Sequence, residues 1–370
     1  MEKLAMFLML VSFATCIAQK PDVRPLNIGH RGSSGRLPEH TLAAYRLAIK
    51  EGADVIECDV SITKDLKLIC RHESWLNHTT NLWEKQNLRS KLKTYNISEY
   101  HGVITDIFSV DLTLEEIKTI RVRQRYSFRD PNYNDMYTIP TLEEFIQVAK
   151  SAGRPVGIYP EVKNPEWVNS LDILRKANTT IEDLIVGVLH KNGYREKDSP
   201  CYVQSFSEGS IRSLATKTKL RLVMLIEIET PDPVIPEGKL KNLSAICYGI
   251  GVWKNMIIPT KNNYLQSTTN LVINAHKYNL KVHPYTFRNE DQYLAWNFTQ
   301  DPYNEYQTFL NTHIDGYFTD FPGSLKKFLD MKYTKADPSP CPSSVPGTYK
   351  GGVSSLSLLF IAALSFKFFV

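Results

Sequence analysis

The chain has no stripe of basic residues and no basic run laced with aromatics, and its formal net charge is only +5. That is too mild for a nucleic-acid surface, so this class is excluded. Cysteine is sparse, six in 370 residues, and the spacings are not those of a zinc site. Glycine supplies no phosphate-cradling loop. Gly249-Ile-Gly251 is a lone pair, read as a turn after a strand. No apolar run reaches the roughly twenty residues that a membrane span requires. What remains is a globular stretch of about 300 residues, enough for one large domain with a substantial core.

The two ends are apolar but short. Residues 1–18 read as a signal peptide: Lys3 gives the positive start, Leu4 to Ala14 the apolar centre, and Cys16-Ile17-Ala18 a small-residue cleavage site. Residues 331–355 form a spacer rich in proline and serine, and residues 356–370 an apolar tail that carries Lys367. Small residues, a polar spacer and a terminal apolar tail together are the signal for a glycolipid (GPI) anchor, with Ser343, Ser344 and Gly347 as candidate attachment residues. A single-pass tail anchor is the alternative. Five acceptor triplets, at Asn77, Asn96, Asn178, Asn242 and Asn297, agree with export and glycosylation. The expected location is the extracellular face of the plasma membrane, held to the outer leaflet by the lipid. Loss of Lys350 and Lys367 with the tail would leave a charge of +3.

Cys16 leaves with the signal peptide, and five cysteines remain in an oxidising compartment. The pairs considered are Cys58–Cys70 and Cys201–Cys247, with Cys341 left over. Strand parity argues against the first pair. Cys58 points away from Glu57 and Asp59, whereas Cys70 shares a face with His72 unless a twist or bulge intervenes.

Eight apolar runs bounded by polar or turn residues recur along residues 25–330: 26–30, 54–60, 155–161, 201–206, 221–226, 245–249, 281–287 and 315–319. Helical patterns fall between several of them, at 41–51, 141–152, 207–216 and 263–278. Strand–helix alternation repeated eight times predicts an α/β fold, a parallel (β/α)8 barrel. The run 68–72 does not fit as a barrel strand. Only five residues separate it from the second strand, too few for a parallel crossover, so it must fold back as a hairpin and return His72 to the barrel mouth. The following stretch, about 73–138, has no strand–helix rhythm and is far too long for an ordinary loop, so it reads as an inserted cap.

Chemistry-bearing residues gather at strand ends. His30 closes the first run, Glu57 and Asp59 the second, and Glu161 the third. In barrel enzymes the chemistry sits on that face. Alternation puts Glu57 and Asp59 on one side of their strand, and unpaired carboxylates in an apolar run are costly, so a cation is the better account of them. Oxygen-only ligands suit a hard cation. A lone histidine is more often a satisfied core residue than a catalyst. Two of them, His30 and His72, around a carboxylate pair point instead to phosphoryl chemistry, one taking a proton and the other giving one. His78 and His101 are nearby but rank below His72. Arg31 offers a planar fork to a phosphate and Lys163 a point charge. Phe206, Tyr285 and Trp253 are candidates for the mouth, equally explained as packing.

His30-Arg31-Gly32, Pro38-Glu39 with Thr41, Glu57-x-Asp59-Val60, Thr63-Lys64-Asp65, His72, Glu161-x-Lys163 and Thr319-Asp320 occur in that order. This pattern resembles the glycerophosphodiester phosphodiesterase family over roughly residues 25–328. Departures are His40 where asparagine is usual, Glu73 where aspartate is usual, and Tyr285 where tryptophan is common. The resemblance implies hydrolysis of a small glycerophosphodiester to sn-glycerol 3-phosphate and an alcohol. It implies one divalent cation, Ca²⁺ or Mg²⁺, on Glu57, Asp59 and Glu161, and His30 and His72 sharing the acid and base roles. It places Arg31, Lys163, Glu39, Phe206 and Tyr285 at the substrate. No protein partner is inferred. Alternatives are a lysophospholipase D or anchor-cleaving enzyme on the same scaffold, and a non-catalytic surface protein. The chain retains both histidines and every metal carboxylate, which speaks against the last.

Overall fold

The computed structural model describes residues 23–97, 99, 102–228 and 234–334. The expected signal peptide, residues 335–370 of the expected spacer and tail, Cys341, His101 and the three anchor candidates lie outside the described residues, whereas residues 331–333, expected in the spacer, complete the helix Pro322–Tyr333. Among the described residues no helix is long and apolar enough to cross a membrane.

The barrel strands are β1 (Leu26–Gly29), β2 (Val55–Ile62), β6 (Gly157–Val162), β7 (Tyr202–Ser205), β8 (Arg221–Ile226), β9 (Gly249–Trp253), β12 (Lys281–Tyr285) and β13 (Gly316–Thr319). They run in the order β12–β9–β8–β7–β6–β2–β1–β13, every pair parallel. Phe287 N–H donates to Phe318 O at 2.8 Å and Asp315 N–H to Val282 O at 2.9 Å, which joins the last strand to β12 and closes the ring. Outside the ring lie β3 (Leu68–Cys70), a small antiparallel ribbon of β4 (Lys93–Ile97) and β5 (Gly102–Asp106), and a second of β10 (Thr260–Lys261) and β11 (Tyr264–Leu265).

Helices start where the sequence supplies caps. Thr41 accepts from Ala44 N–H at the start of α1 (Leu42–Lys50). Thr113 and Thr141 form capping boxes with Glu116 and Glu144 ahead of α2 (Leu114–Lys118) and α3 (Leu142–Lys150). Along β2, Ile56, Cys58 and Val60 pack outward against this helical layer. Ile28, Val55, Tyr159, Tyr202, Val223 and Phe318 fill the interior, where Tyr159 stacks on Tyr202 with ring centroids 4.8 Å apart. His283 is part of this plug. It is buried, bonded to Tyr159 Oη at 3.0 Å, and held down to about 4 by that burial.

The hairpin expected after β2 is present: β3 pairs antiparallel with it, Val60 opposite Cys70. The inserted segment has its own apolar cluster, built on Leu76, Leu82, Leu88, Ile107, Leu112, Ile117, Ile120 and Val122.

Three expectations are corrected. The sixth barrel strand begins at Gly249 instead of ending there, so Gly249-Ile-Gly251 is strand and not turn. Its glycines serve close packing: a Cβ at Gly249 would lie 2.5 Å from Lys281 O, and one at Gly251 2.5 Å from the Leu225 side chain. The expected helix at 263–278 shrinks to Leu271–Lys277, because Tyr264–Leu265 pair in the second ribbon. Third, the parity argument for the cysteines fails. Residues opposite each other across a ladder share a face, so Cys70 joins Val60 and Cys58 on the helix side. β3 ends at Cys70, and His72 does not continue the alternation. Cys58 Sγ and Cys70 Sγ are 3.1 Å apart, as neighbouring thiols. Cys201 and Cys247 are also free thiols, so neither considered bridge is formed.

The barrel floor yields a pH prediction. Burial alone would raise Asp315, but hydrogen bonds from His276, Lys281 and the Val282 amide outweigh it and bring its pKa from 3.8 to about 2. A depressed folded pKa stabilises above the unfolded value and is lost as pH falls from about 4 toward about 2. Asp315→Asn should therefore cost about 2 kcal/mol at pH 7 and flatten the acid limb of stability in that window. Urea unfolding measured at several pH values reads both effects; an unchanged acid limb counts against the assignment.

Candidate active site

β1 ends at Gly29, and His30 opens the loop above it. Gly32 has φ +88°, and a Cβ there would lie 2.7 Å from the Ala44 carbonyl carbon, so this turn requires glycine. Arg31 and His40 also adopt left-handed backbone, with φ of 59° and 54°. His40 N–H donates to Arg31 O at 3.1 Å, tying the loop into a compact link before α1.

Asp59 lies opposite Glu161 across the β2–β6 ladder. Carboxylate oxygens of Glu57, Asp59 and Glu161 lie within 4.8 Å of one another, and all three residues are buried. Glu57 Oε2 accepts from Arg31 N–H at 2.7 Å. Asp59 Oδ2 lies 2.8 Å from His40 Nε2, whose Nδ1 lies 2.8 Å from Tyr45 Oη. Glu161 Oε1 pairs with Lys163 Nζ at 2.9 Å. Burial pushes Glu57 well above the usual carboxylate range, and the Asp59 and Glu161 charges add to it. Burial would raise Asp59 likewise, but Lys163, His72 and His40 hold it down. Three inward carboxylates that repel one another, with oxygen as the sole donor, fit a hard divalent cation.

Each candidate histidine is backed by a carboxylate. His30 Nδ1 meets Asp320 Oδ1 at 2.6 Å. Arg31 Nε donates to His30 Nε2 at 3.2 Å. That donor assigns the lone pair to Nε2 and the proton to Nδ1, so His30 presents a base. His72 Nδ1 meets Glu73 Oε1 at 2.7 Å in the same relation. Burial and the Arg31 charge outweigh Asp320 and bring His30 down to about 4. Burial, Arg31 and Lys163 bring His72 down to about 3. Both imidazoles are therefore neutral at pH 7 in the free protein.

A cavity of about 920 Å³ collects the expected residues: His30, His72, Glu57, Asp59, Glu161, Arg31, Lys163, Phe206 and Tyr285 all line it. Phe206 and Tyr285 meet edge to face with centroids 6.0 Å apart, and Lys163 Nζ lies 5.9 Å from the Phe206 ring. Glu39 is placed differently. It is buried away from the cavity wall, beneath Arg31, Arg71 and Arg125. Of its arginine partners, Arg31 lines the cavity. His78 is exposed and does not line the cavity. Asn96, Asn178, Asn242 and Asn297 are exposed and Asn77 is half-buried.

Sequence reasoning gave no role to Asp320, Glu73, Arg125, Arg129, Arg288 or His40. Asp320 belongs to a recognised block and Glu73 follows one, which was a usable signal. The arginines come from distant segments and carry no local one.

The Glycerophosphoryl diester phosphodiesterase family matches residues 30–324. A glycerophosphodiester phosphodiesterase of Arabidopsis thaliana is 41% identical over 326 residues, covering 84% of this chain and 87% of the relative. One from Haemophilus influenzae is 29% identical, covering 82% and 89%. Among solved structures, an Oleispira antarctica phosphodiesterase in complex with the product sn-glycerol-3-phosphate superposes with a TM-score of 0.55 at 22% identity, covering 82% of this chain and 96% of that one. A glycerophosphodiester phosphodiesterase of Agrobacterium tumefaciens gives 0.51 at 17% identity, covering 80% and 96%. The two structures share the barrel fold.

Proposed function

On the premise that this chain belongs to the glycerophosphoryl diester phosphodiesterase family and is a phosphodiesterase, we propose that it hydrolyses glycerophosphodiesters to sn-glycerol 3-phosphate and an alcohol, with His30 and His72 as its acid–base pair. One observation carries the reading: two carboxylate-backed histidines, a three-carboxylate cluster, Arg31 and Lys163 all line one cavity. Glu57, Asp59 and Glu161 would hold a divalent cation, Ca²⁺ or Mg²⁺, which when bound offsets charge on the phosphate. Arg31 and Lys163 orient the diester. The glycerol 2-hydroxyl attacks phosphorus and one imidazole takes its proton. The bond to the head-group oxygen breaks, and the other imidazole, which must enter this step as the imidazolium that the bound phosphate anion favours, gives that oxygen its Nε2 proton and is left neutral. Water then opens the cyclic phosphate with the two histidines in exchanged roles.

The test is a panel of glycerophosphodiesters and lysophospholipids incubated with and without chelator, with products identified. Chelation should abolish activity and Ca²⁺ or Mg²⁺ restore it. Full activity in metal-stripped protein would count against the cation. Turnover of lysophospholipids alone would favour the lysophospholipase D alternative, against which the described residues of the insertion supply only Glu99 to the cavity lining.

We propose also that the mature protein is exported, glycosylated and held to the outer leaflet by a glycolipid. Support comes from the two apolar ends in the sequence and from the exposure of Asn96, Asn178, Asn242 and Asn297. A phosphatidylinositol-specific phospholipase should release it from cells. Retention on the membrane, with survival of a tag placed after Val370, would make the tail a span instead.

A further inference from the structure

Two arginines four residues apart in the inserted segment reach the carboxylates behind both histidines. Arg125 grips Glu73 with two bonds, Nη1 to Oε1 and Nη2 to Oε2, each 2.7 Å. The same guanidinium holds Glu39 at 2.8 and 2.7 Å. Arg129 donates to Asp320 Oδ2 at 2.6 Å, to Glu290 Oε1 at 2.8 Å and to Ser34 O at 3.0 Å. Its side chain is 3% exposed and that of Asp320 2%.

We propose that Arg125 and Arg129 are positioning residues for the two catalytic histidines: the inserted segment fixes Glu73 and Asp320, and these aim His72 and His30. This rests on the acid–base reading given above. The physical argument concerns freedom of the carboxylates. An imidazole that must hand protons through Nε2 needs its ring plane and Nδ1–H tautomer fixed, and the carboxylate at Nδ1 does that only if it is itself held. A forked guanidinium holds both oxygens of a carboxylate in one plane, which a point charge does not. Arg125 does this for Glu73. Asp320 keeps one oxygen for His30 and gives the other to Arg129, with Arg288 Nε as a second donor at 2.9 Å. Both clamps come from one short stretch outside the barrel strands, so the acid–base competence of the barrel depends on the insertion being seated. A merely structural role would explain two buried ion pairs, one within the insertion and one from it to the barrel, but not why each carboxylate is the one that holds a histidine.

Arg125→Ala should lower kcat roughly ten- to a hundredfold, as loss of a partner that orients an active-site ligand does, with KM changed less than about threefold. Arg125→Lys should recover part of that loss. Arg129→Ala should lose less, roughly three- to tenfold, because Arg288 still holds Asp320. The deciding measurement is a set of double-mutant cycles. In a His72→Ala background, Arg125→Ala should cost less than about twofold, while Arg129→Ala should keep the larger share of its own wild-type cost. In a His30→Ala background the pattern should reverse. Equal losses in wild-type and histidine-variant backgrounds, or a raised KM with unchanged kcat, would overturn the proposal. If an alanine variant does not fold, Arg129→Lys and Glu73→Gln give the same cycles. Failure of the acid–base reading is separately visible, as full activity in His30→Ala or His72→Ala.

Discussion

His30→Ala and His72→Ala are each expected to lower turnover at least about a hundredfold, since a positioned general acid or base contributes typically 10²–10⁴-fold. Both line the cavity that holds the carboxylate cluster, and both expose Nε2 as the basic nitrogen through their bonds to Asp320 and Glu73. The reaction proposed above needs one proton removed from the attacking hydroxyl and one given to the departing oxygen. Neither demand can be met by the partner histidine alone within one step. The double variant should lose less than the product of the single losses, because the two act as a unit. A nitrophenyl ester has a leaving group that needs little protonation. It should restore rate to whichever variant lacks the acid and leave the other impaired, which assigns the roles. If His72→Ala is near normal on every substrate, the hairpin has delivered the wrong histidine, and His78 and His101 become the next to test.

The barrel was legible because eight buried strands leave eight apolar runs, and short spacing alone excluded Leu68–Cys70 from the ring. The carboxylate cluster was legible for the same reason: charge inside an apolar run stands out, and period-two alternation aligns Glu57 with Asp59. Where local pattern misled, a tertiary contact had decided the outcome. Gly249 and Gly251 look like turn residues, yet they are the positions at which β9 packs closest to Lys281 and Leu225. Cys70 was assigned by its spacing from His72, but the strand stops before His72 is reached. The residues that brace the histidines were illegible in a different way. Arg125 and Arg129 lie in a stretch without period, and Asp320 meets His30 across 290 positions of chain. Nothing in one sequence encodes such a pairing except the fold that closes it. His40 shows the same limit. As a departure from the family pattern it drew notice, but only the left-handed backbone and the bond to Asp59 explain it.

Neutralising one carboxylate of the cluster should separate stability from function. Glu57, Asp59 and Glu161 are buried with oxygens within 4.8 Å, and like charges at that distance in a desolvated site repel strongly. Nothing in their packing alone justifies keeping three such groups together. Glu57→Gln preserves an oxygen to accept the Arg31 amide, the 2.7 Å bond that holds the loop, and removes one of the repelling charges. The metal-free variant should therefore be at least as stable as the metal-free parent in urea unfolding. Its response to cation should shrink. A ligand at a hundred times its dissociation constant stabilises by about 2.7 kcal/mol. A ten- to hundredfold weaker site therefore loses about 1.3 to 2.3 kcal/mol of that gain at the same concentration. Turnover should fall at least about a hundredfold, since a ligand is lost and not merely a residue that orients one. Asp59→Asn should lose activity in the same way, but its metal-free stability should not rise, because Lys163 and His40 already balance that charge. A Glu57→Gln protein that is less stable without metal, or that keeps the full cation-dependent stabilisation, would remove Glu57 from the cluster's function and leave it as a structural acceptor for Arg31.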